Sequence, residues 1–364
     1  MAEPPAARLT IDLDALACNY AVLRAEAAGA EVAPVLKSDA YGLGVGPVAR
    51  RLWAEGARRF FVARLAEGEA LRAELGPARP ATVYVLDGLT EGSMARLAAA
   101  GLTPVLCSLP QVADAAARAA ASGRSLSVGL NLDTGMNRQG LTPDEARAVT
   151  QSTDRLRGLE IGLVMSHLGS AYEPENPRNA NQLSAFVEVR RQFADALASL
   201  SASPGIFLGP DYRFEVVRPG ISLYGGGPLA TPDPRLRAVA TLTAPILDIR
   251  NLRPGDVVGY GEDVRIAAPT RVAVVAAGYA DGVLRAAKAG GGAWFAGARR
   301  RLLIVNMDVL VIEIGEAEAQ PGDSVELLGP NVPLDDLATA GGSIAHELLV
   351  RLSRRATRVY LGEA

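Results

Sequence analysis

The sequence predicts an α/β protein: an N-terminal (β/α)8 TIM-like barrel followed by a separate, mainly-β domain. Three observations carry this. From about residue 10 to 230, short apolar runs alternate with amphipathic helical stretches. The runs are continuous, as parallel strands buried on both faces require, and eight of them favour a closed barrel over an open doubly wound sheet. Near Pro232–Arg235 the pattern changes to strand-like runs with little helix between them. A length of 364 residues suits about two domains at roughly 150 residues each. The boundaries read as 1–233 and 234–364, with the option that the first strand joins the second domain.

In chain order, Asp12-Leu-Asp-Ala-Leu opens the first helix, its acidic residues placed as the helix dipole favours. Barrel strands are expected at Glu31–Lys37, Arg59–Ala63, Thr82–Leu86, Thr103–Leu106, Ser127–Leu132, Glu160–Met165, Ile206–Leu208 and Ile221–Leu223. Between two of them, Ala180–Leu200 carries Leu183, Phe186, Val187, Phe193 and Leu197 at helical spacing. In the second domain the runs Ala238–Ile249, Val257–Gly259, Thr270–Ala277, Arg301–Ile314 and Ser324–Leu328 read as strands. A helix over Gly342–Leu352 then precedes a last strand, Arg358–Leu361.

Composition excludes several functions. Lys+Arg 37 against Asp+Glu 40 gives a net charge of −3, with no electrostatic drive towards nucleic acid or anionic membrane. Two histidines, His167 and His346, rule out a multi-histidine zinc site within one chain. Two cysteines, Cys18 and Cys107, are too few for a disulfide framework and read as buried free thiols. No P-loop occurs, and Gly42, Gly44 and Gly46 lack the dinucleotide spacing. Met1–Arg8 lacks the layout of a signal peptide, and no uncharged apolar run reaches the ~18 residues of a membrane span. The expectation is a cytoplasmic protein with no metal.

Six segments place reactive side chains at strand ends or turns. Pro34-Val-Leu-Lys37-Ser-Asp-Ala-Tyr41-Gly-Leu-Gly ends a buried strand on a lysine, where partial desolvation favours the neutral amine. Taken alone, it reads equally as a solvated lysine opening a loop. Asp133-Thr-Gly-Met-Asn-Arg138 places an arginine after a strand, for an anion or merely in a turn. Ser166-His167-Leu sits at another strand end, where histidines are often structural. Arg218-Pro-Gly-Ile-Ser-Leu-Tyr224-Gly puts an arginine before a rigid turn. Gly278-Tyr279-Ala-Asp281-Gly ends a strand of the second domain, and Asn306-Met307-Asp308 reads as part of a strand.

Together and in this order, these segments resemble the alanine racemases, which are fold-type III pyridoxal 5'-phosphate enzymes. The resemblance runs from Ile11-Asp-Leu-Asp-Ala-Leu to Arg358-Val-Tyr-Leu. It implies a barrel plus β domain, and a homodimer with composite active sites. The implied activity is interconversion of L- and D-alanine by two bases, supplying D-alanine for peptidoglycan. Carried over by position, Lys37 resembles the Schiff-base lysine and Tyr279 the second catalytic base, delivered by the other subunit. Tyr41, Ser203, Gly220 and Ile221 fall where the family holds phosphate, and His346 stands at a further phosphate contact. Arg218 resembles the arginine facing the pyridine nitrogen, and His167 the histidine linking it to the catalytic tyrosine. Arg138, Met307 and Asp308 fall on the substrate side.

The chain departs from the family pattern at three places. Asn131 stands where many members carry a carbamylated lysine. Ser201-Ala-Ser203 replaces Ala-Asn-Ser. His346 replaces a tyrosine at the substrate entrance. Two other readings remain at this level: a racemase of broader range, acting on serine or larger amino acids, and a non-catalytic pyridoxal-phosphate-binding protein. Known single-barrel carriers resemble only the first half, and Tyr279 in the second domain argues against them.

Overall fold

The computed structural model describes residues 6–352 and 354–363. The chain forms two compact units. One comprises Tyr20–Ala40 and Gly44–Leu223; the other gathers the residues up to Asn19 with Tyr41–Leu43 and Tyr224–Glu363.

The first unit holds eight parallel strands. Arg59–Val62, Thr82–Val85, Thr103–Leu106, Leu126–Asn131, Leu159–Met165 and Leu197–Ser199 form one curled sheet in that order. Glu31–Val32 pairs in parallel with Val216–Val217. Single bridges, Val35 to Phe61 and Ala202 to Arg218, join that pair to the two edges of the sheet. The ring is thereby closed. Phe60, Phe61, Val83, Val105, Leu130 and Val164 are fully buried, because strands with helices outside and a packed interior have no wet face.

The last two barrel strands lie elsewhere than the sequence suggested. They are Leu197–Ser199 and Val216–Val217, whereas Ile206–Leu208 and Ile221–Leu223 fall in helical turns, Ser203–Ile206 and Ile221–Tyr224. Pro204 fixes φ in the first of these turns, and Pro219-Gly220 precedes the second. The helix expected over Ala180–Leu200 is Pro177–Arg190. Asn176 Oδ1 caps it by accepting from the Arg178 amide at 3.0 Å. A 3-10 turn at Arg191–Phe193 ends it, which releases Leu197 to the sheet.

The second unit is built on Ala240–Leu252, a 13-residue strand. Thr270–Val275, Leu310–Glu313, Ala298–Val305, Gly292–Phe295 and Ser324–Leu328 follow one another in space. Ala240–Leu252 pairs with both the last and the first of them, closing an antiparallel barrel. A register shift between Ile246 and Asp248 bends it so that one strand serves both edges. The inside is packed by Val272, Leu303, Ile304, Val311 and Ile266.

Arg8–Asp12 adds to this unit, antiparallel to Ala240–Leu252 and parallel to Thr357–Leu361. Leu9 and Ile11 alternate into the core, and Asp12 Oδ1 then accepts from the Ala15 amide at 2.9 Å to start the helix Leu13–Ala27. The expected strand Arg301–Ile314 is two strands, and Asn306–Asp308 lies in the turn between them rather than inside a strand. The second-domain helix is Ala345–Arg351, preceded by a helix at Leu334–Ala340 that periodicity alone did not reveal. Among the described residues, no helix is long and apolar enough to cross a membrane.

Candidate active site

In the barrel unit, Lys37 follows the Val35 bridge and begins an unusual turn. Ser38, Asp39, Ala40 and Tyr41 have φ of 55°, 58°, 53° and 56°, four successive left-handed residues without a glycine. Each costs roughly 1–2 kcal/mol, so specific bonds must hold them. The Ala40 amide donates to the Leu36 carbonyl at 3.0 Å and the Gly44 amide to the Asp39 carbonyl at 2.9 Å. The Val45 amide donates to Asp39 Oδ1 at 2.8 Å, and the Ser38 amide to Glu67 Oε1 at 2.7 Å. Glu67 Oε2 meanwhile accepts from the Ala63 and Arg64 amides, so one carboxylate ties the lysine turn to the next helix start. Lys37 itself is half-buried. Desolvation and then the Arg138 charge hold its amine below the usual lysine range, with Glu67 opposing them.

Arg138 is exposed on a loop organised by Asp133. Asp133 Oδ1 accepts from the amides of Gly135, Met136 and Asn137 at 2.9, 3.0 and 3.1 Å. Asn131 Nδ2 donates to the Gln139 carbonyl at 2.9 Å, so this residue fixes the chain beside Arg138 through a neutral bond.

Arg218 is 3% exposed, and burial pulls its guanidinium down to about 9. Its Nη2 donates to the Ser166 carbonyl at 2.6 Å and its Nη1 to Ser199 Oγ. These two bonds go to the strand ends at Ser166 and Ser199, and Ser166 immediately precedes His167. His167 is half-buried, and its own carbonyl accepts from Gln182 Nε2 at 2.9 Å. Nearby in sequence, Ser203 Oγ accepts from the amides of Gly220 at 2.9 Å and Ser222 at 3.2 Å. Ile221, between them, is buried. Ser222 Oγ is buried with no hydrogen-bond partner among the described residues.

The second unit carries the other candidates. Tyr41 is buried with its ring 4.8 Å from that of Tyr224 and 5.8 Å from that of His346, which lies in the first turn of Ala345–Arg351. Tyr279 is 44% exposed and shares an open cleft with Met307, Asp308 and Arg351. Its amide donates to the Asn306 carbonyl at 2.9 Å and that of Ala280 to the Met307 carbonyl at 3.0 Å. A Cβ on Gly278 would lie 2.2 Å from the Asn306 oxygen, so only glycine lets these turns approach.

Lys37, Arg138, His167, Ser203, Arg218, Gly220 and Ile221 thus belong to the barrel unit, and Tyr41, Tyr279, Met307, Asp308 and His346 to the other. Sequence reasoning assigned no role to Glu67, Asp133 or Arg355. An acidic residue at the third position of a helix was a usable sign, since Glu67 Oε2 accepts from the Arg64 amide at 3.0 Å there. Arg355, which binds Asp281 and Asp308, has no local signature.

In one chain, a parallel barrel with a half-buried lysine at a strand end is followed by a β barrel that presents an exposed tyrosine. The family model described as "Alanine racemase, N-terminal domain" matches residues 11–228, and "Alanine racemase, C-terminal domain" matches 239–360. The chain belongs to the alanine racemase family. It is 41% identical over 357 residues to "Alanine racemase, catabolic" of Agrobacterium fabrum, covering 97% of this chain and 92% of that protein. It is 40% identical to the alanine racemase of a Methylobacterium species, covering 99% of each. Among solved structures, the alanine racemase of Bartonella henselae with covalently bound pyridoxal phosphate has a TM-score of 0.92 at 33% identity, covering 98% of this chain and 100% of that one.

Proposed function

We propose that the chain is a pyridoxal-phosphate-dependent alanine racemase. It interconverts L- and D-alanine, with Lys37 and Tyr279 as the two bases. The observation that carries this is Lys37: a half-buried amine at a barrel strand end, held below the usual lysine range, in a chain matched end to end by the family. The match over 239–360 speaks against a single-barrel carrier.

The residues fit the cofactor. The Ser203 hydroxyl, and the buried Ser222 hydroxyl with no partner among the described residues, suit an anionic phosphate. In the barrel unit Ile221 would be a further phosphate contact and Arg218 would hold the cofactor's ring; Tyr41 and His346 of the other unit would be further phosphate contacts in their own right. When bound and joined to Lys37, pyridoxal phosphate supplies the electron sink that acidifies the α-proton of an amino acid.

The side chains do the rest. Arg138 binds the substrate carboxylate through its fork of donors. Lys37 Nζ accepts or returns a proton on one face, and its depressed basicity keeps a neutral fraction available at lower pH than an ordinary lysine. Tyr279 Oη serves the opposite face, and Met307 and Asp308 accompany it on the substrate side. We place these three on the partner's side of a homodimer. The exposure of Tyr279 and Met307 supports this, since a working base needs a covered surface. The enzyme works in the cytoplasm and supplies D-alanine for peptidoglycan. Relatives named both catabolic and biosynthetic share this chemistry in their names.

The test is complementation. Lys37→Ala and Tyr279→Phe chains are each prepared and mixed. Each alone is inactive or nearly so, and the mixture regains activity because one composite site per heterodimer is intact. Borohydride reduction followed by peptide mapping labels Lys37 in the native protein. A label on another lysine, or an inactive mixture of chains that demonstrably exchange, overturns the assignment.

A further inference from the structure

Arg355 lies in the second unit, outside every segment that the resemblance assigns. Its Nε donates to Asp281 Oδ1 at 2.8 Å and its Nη2 to Asp281 Oδ2 at 2.5 Å, while Nη1 donates to Asp308 Oδ1. Asp281 is buried, and its Oδ2 also accepts from the Gly278 amide at 2.8 Å. We propose that Arg355 is a positioning residue that clamps the turn bearing Tyr279 to the turn bearing Met307 and Asp308, so that they hold one arrangement at the substrate. This deepens the reading of Tyr279 as a base and rests on it.

The geometry requires such a clamp. Tyr279 and Met307 are 44% and 53% exposed within one chain, so packing inside that chain does not fix them. Two backbone bonds, Tyr279 to Asn306 and Ala280 to Met307, bring the turns together. The Asn306 amide also donates to the Val309 carbonyl at 2.9 Å, closing the turn around Asp308, but these backbone bonds do not hold the Asp308 side chain. The guanidinium supplies that hold. Its planar fork meets both oxygens of Asp281, and its remaining nitrogen reaches Asp308. A lysine has one nitrogen and cannot make all three bonds in that plane. Most exposed ion pairs contribute little, but this one differs because the Asp281 side chain is only 3% exposed and would otherwise be a buried, uncompensated charge.

The test compares Arg355→Met and Arg355→Lys in the holoenzyme. Hydrogen exchange is read at the 278–282 and 306–309 amides, with the strands Thr270–Val275 and Leu310–Glu313 as internal controls. Arg355→Met is expected to exchange faster in both turns, with the strands unchanged, and to lose about 10- to 100-fold in kcat with a smaller change in KM. Solvent-deuterium incorporation into L- and D-alanine becomes unequal in the same sense as in Tyr279→Phe. Arg355→Lys is intermediate. Full rescue by lysine would mean that charge alone suffices and would overturn the clamp. So would loosened turns with kcat within twofold of native, or equal loss for the two enantiomers. If Arg355→Met does not fold, the lysine variant alone decides by the same readings. If Tyr279→Phe itself shows no inequality, the base assignment fails, while the exchange measurement still tests the clamp.

Discussion

Arg218 donates to the carbonyl of Ser166 at 2.6 Å inside the barrel unit, and no carboxylate pairs with it among the described residues. A buried cation held only by neutral acceptors pays full desolvation, which is why burial draws it down to about 9. Its folded value lies below the unfolded one of roughly 12.5. The unfolded chain therefore binds more protons between those values, and stability rises with pH across that window.

Arg218→Met is accordingly expected to change the stability of the cofactor-free protein by no more than about 2 kcal/mol at neutral pH. Loss of the buried charge offsets the unmet Ser166 carbonyl, whose desolvation costs roughly 1–3 kcal/mol. Urea denaturation measures it. The native protein should gain on the variant as pH rises through about 9. A loss beyond about 4 kcal/mol would indicate a compensating charge at this position.

Ser203→Ala removes the oxygen that accepts from both the Gly220 and Ser222 amides. Two buried donors are then left without a partner, at about 2–6 kcal/mol in total. Chemical denaturation of the cofactor-free variant should show this loss. Saturating inorganic phosphate should recover part of it, if these amides form an anion cradle. Equal phosphate effects on native and variant proteins would contradict that role.

Gly278→Ala drives a methyl group into the Asn306 and Met307 carbonyls, at 2.2 and 2.4 Å. Backbone must shift, and it carries Tyr279 with it. The expected result is a loss of about 100-fold in kcat with the Lys37-bound cofactor spectrum intact. An altered spectrum instead would mean that the damage had spread beyond this turn.

His346, beside Tyr41, is expected to hold phosphate more tightly when protonated. A protonated imidazole and a phosphate dianion attract, so cofactor retention is expected to weaken as pH rises and the imidazole loses its proton. His346→Tyr should flatten the dependence, as followed by cofactor release on dilution. An unchanged pH profile would remove His346 from the phosphate site.

Strands such as Arg59–Val62 and Thr103–Leu106 were legible because three buried residues in a row leave a plain apolar run. Leu197–Ser199 and Val216–Val217 were not, being only three and two residues long and set by neighbours distant in sequence. Phe193 and Leu197 keep helical spacing past the true helix end, which hid the first of them. At the site, reactive residues stood out by type and position. Their organisers did not: Glu67 works by capping two amides across a strand end, and Arg355 acts over 74 residues of chain to reach Asp281. Contacts of that range leave no periodicity to read.

The placement of Arg8–Asp12 between Ala240–Leu252 and Thr357–Leu361 sets an order of events during synthesis. Arg8–Asp12 leaves the ribosome well before Thr357–Leu361, so it waits for the later of its two neighbours. At 5–20 residues per second, on the order of 20–70 s pass before its second neighbour exists. Leu9 and Ile11, destined for full burial, must stay unpaired or loosely covered through that interval. A nascent chain stalled before residue 357 would expose an open edge at this strand, the kind of surface on which holding chaperones act and from which aggregates grow. Loss of Thr357–Leu361 would therefore be felt about 350 residues away, at Arg8–Asp12.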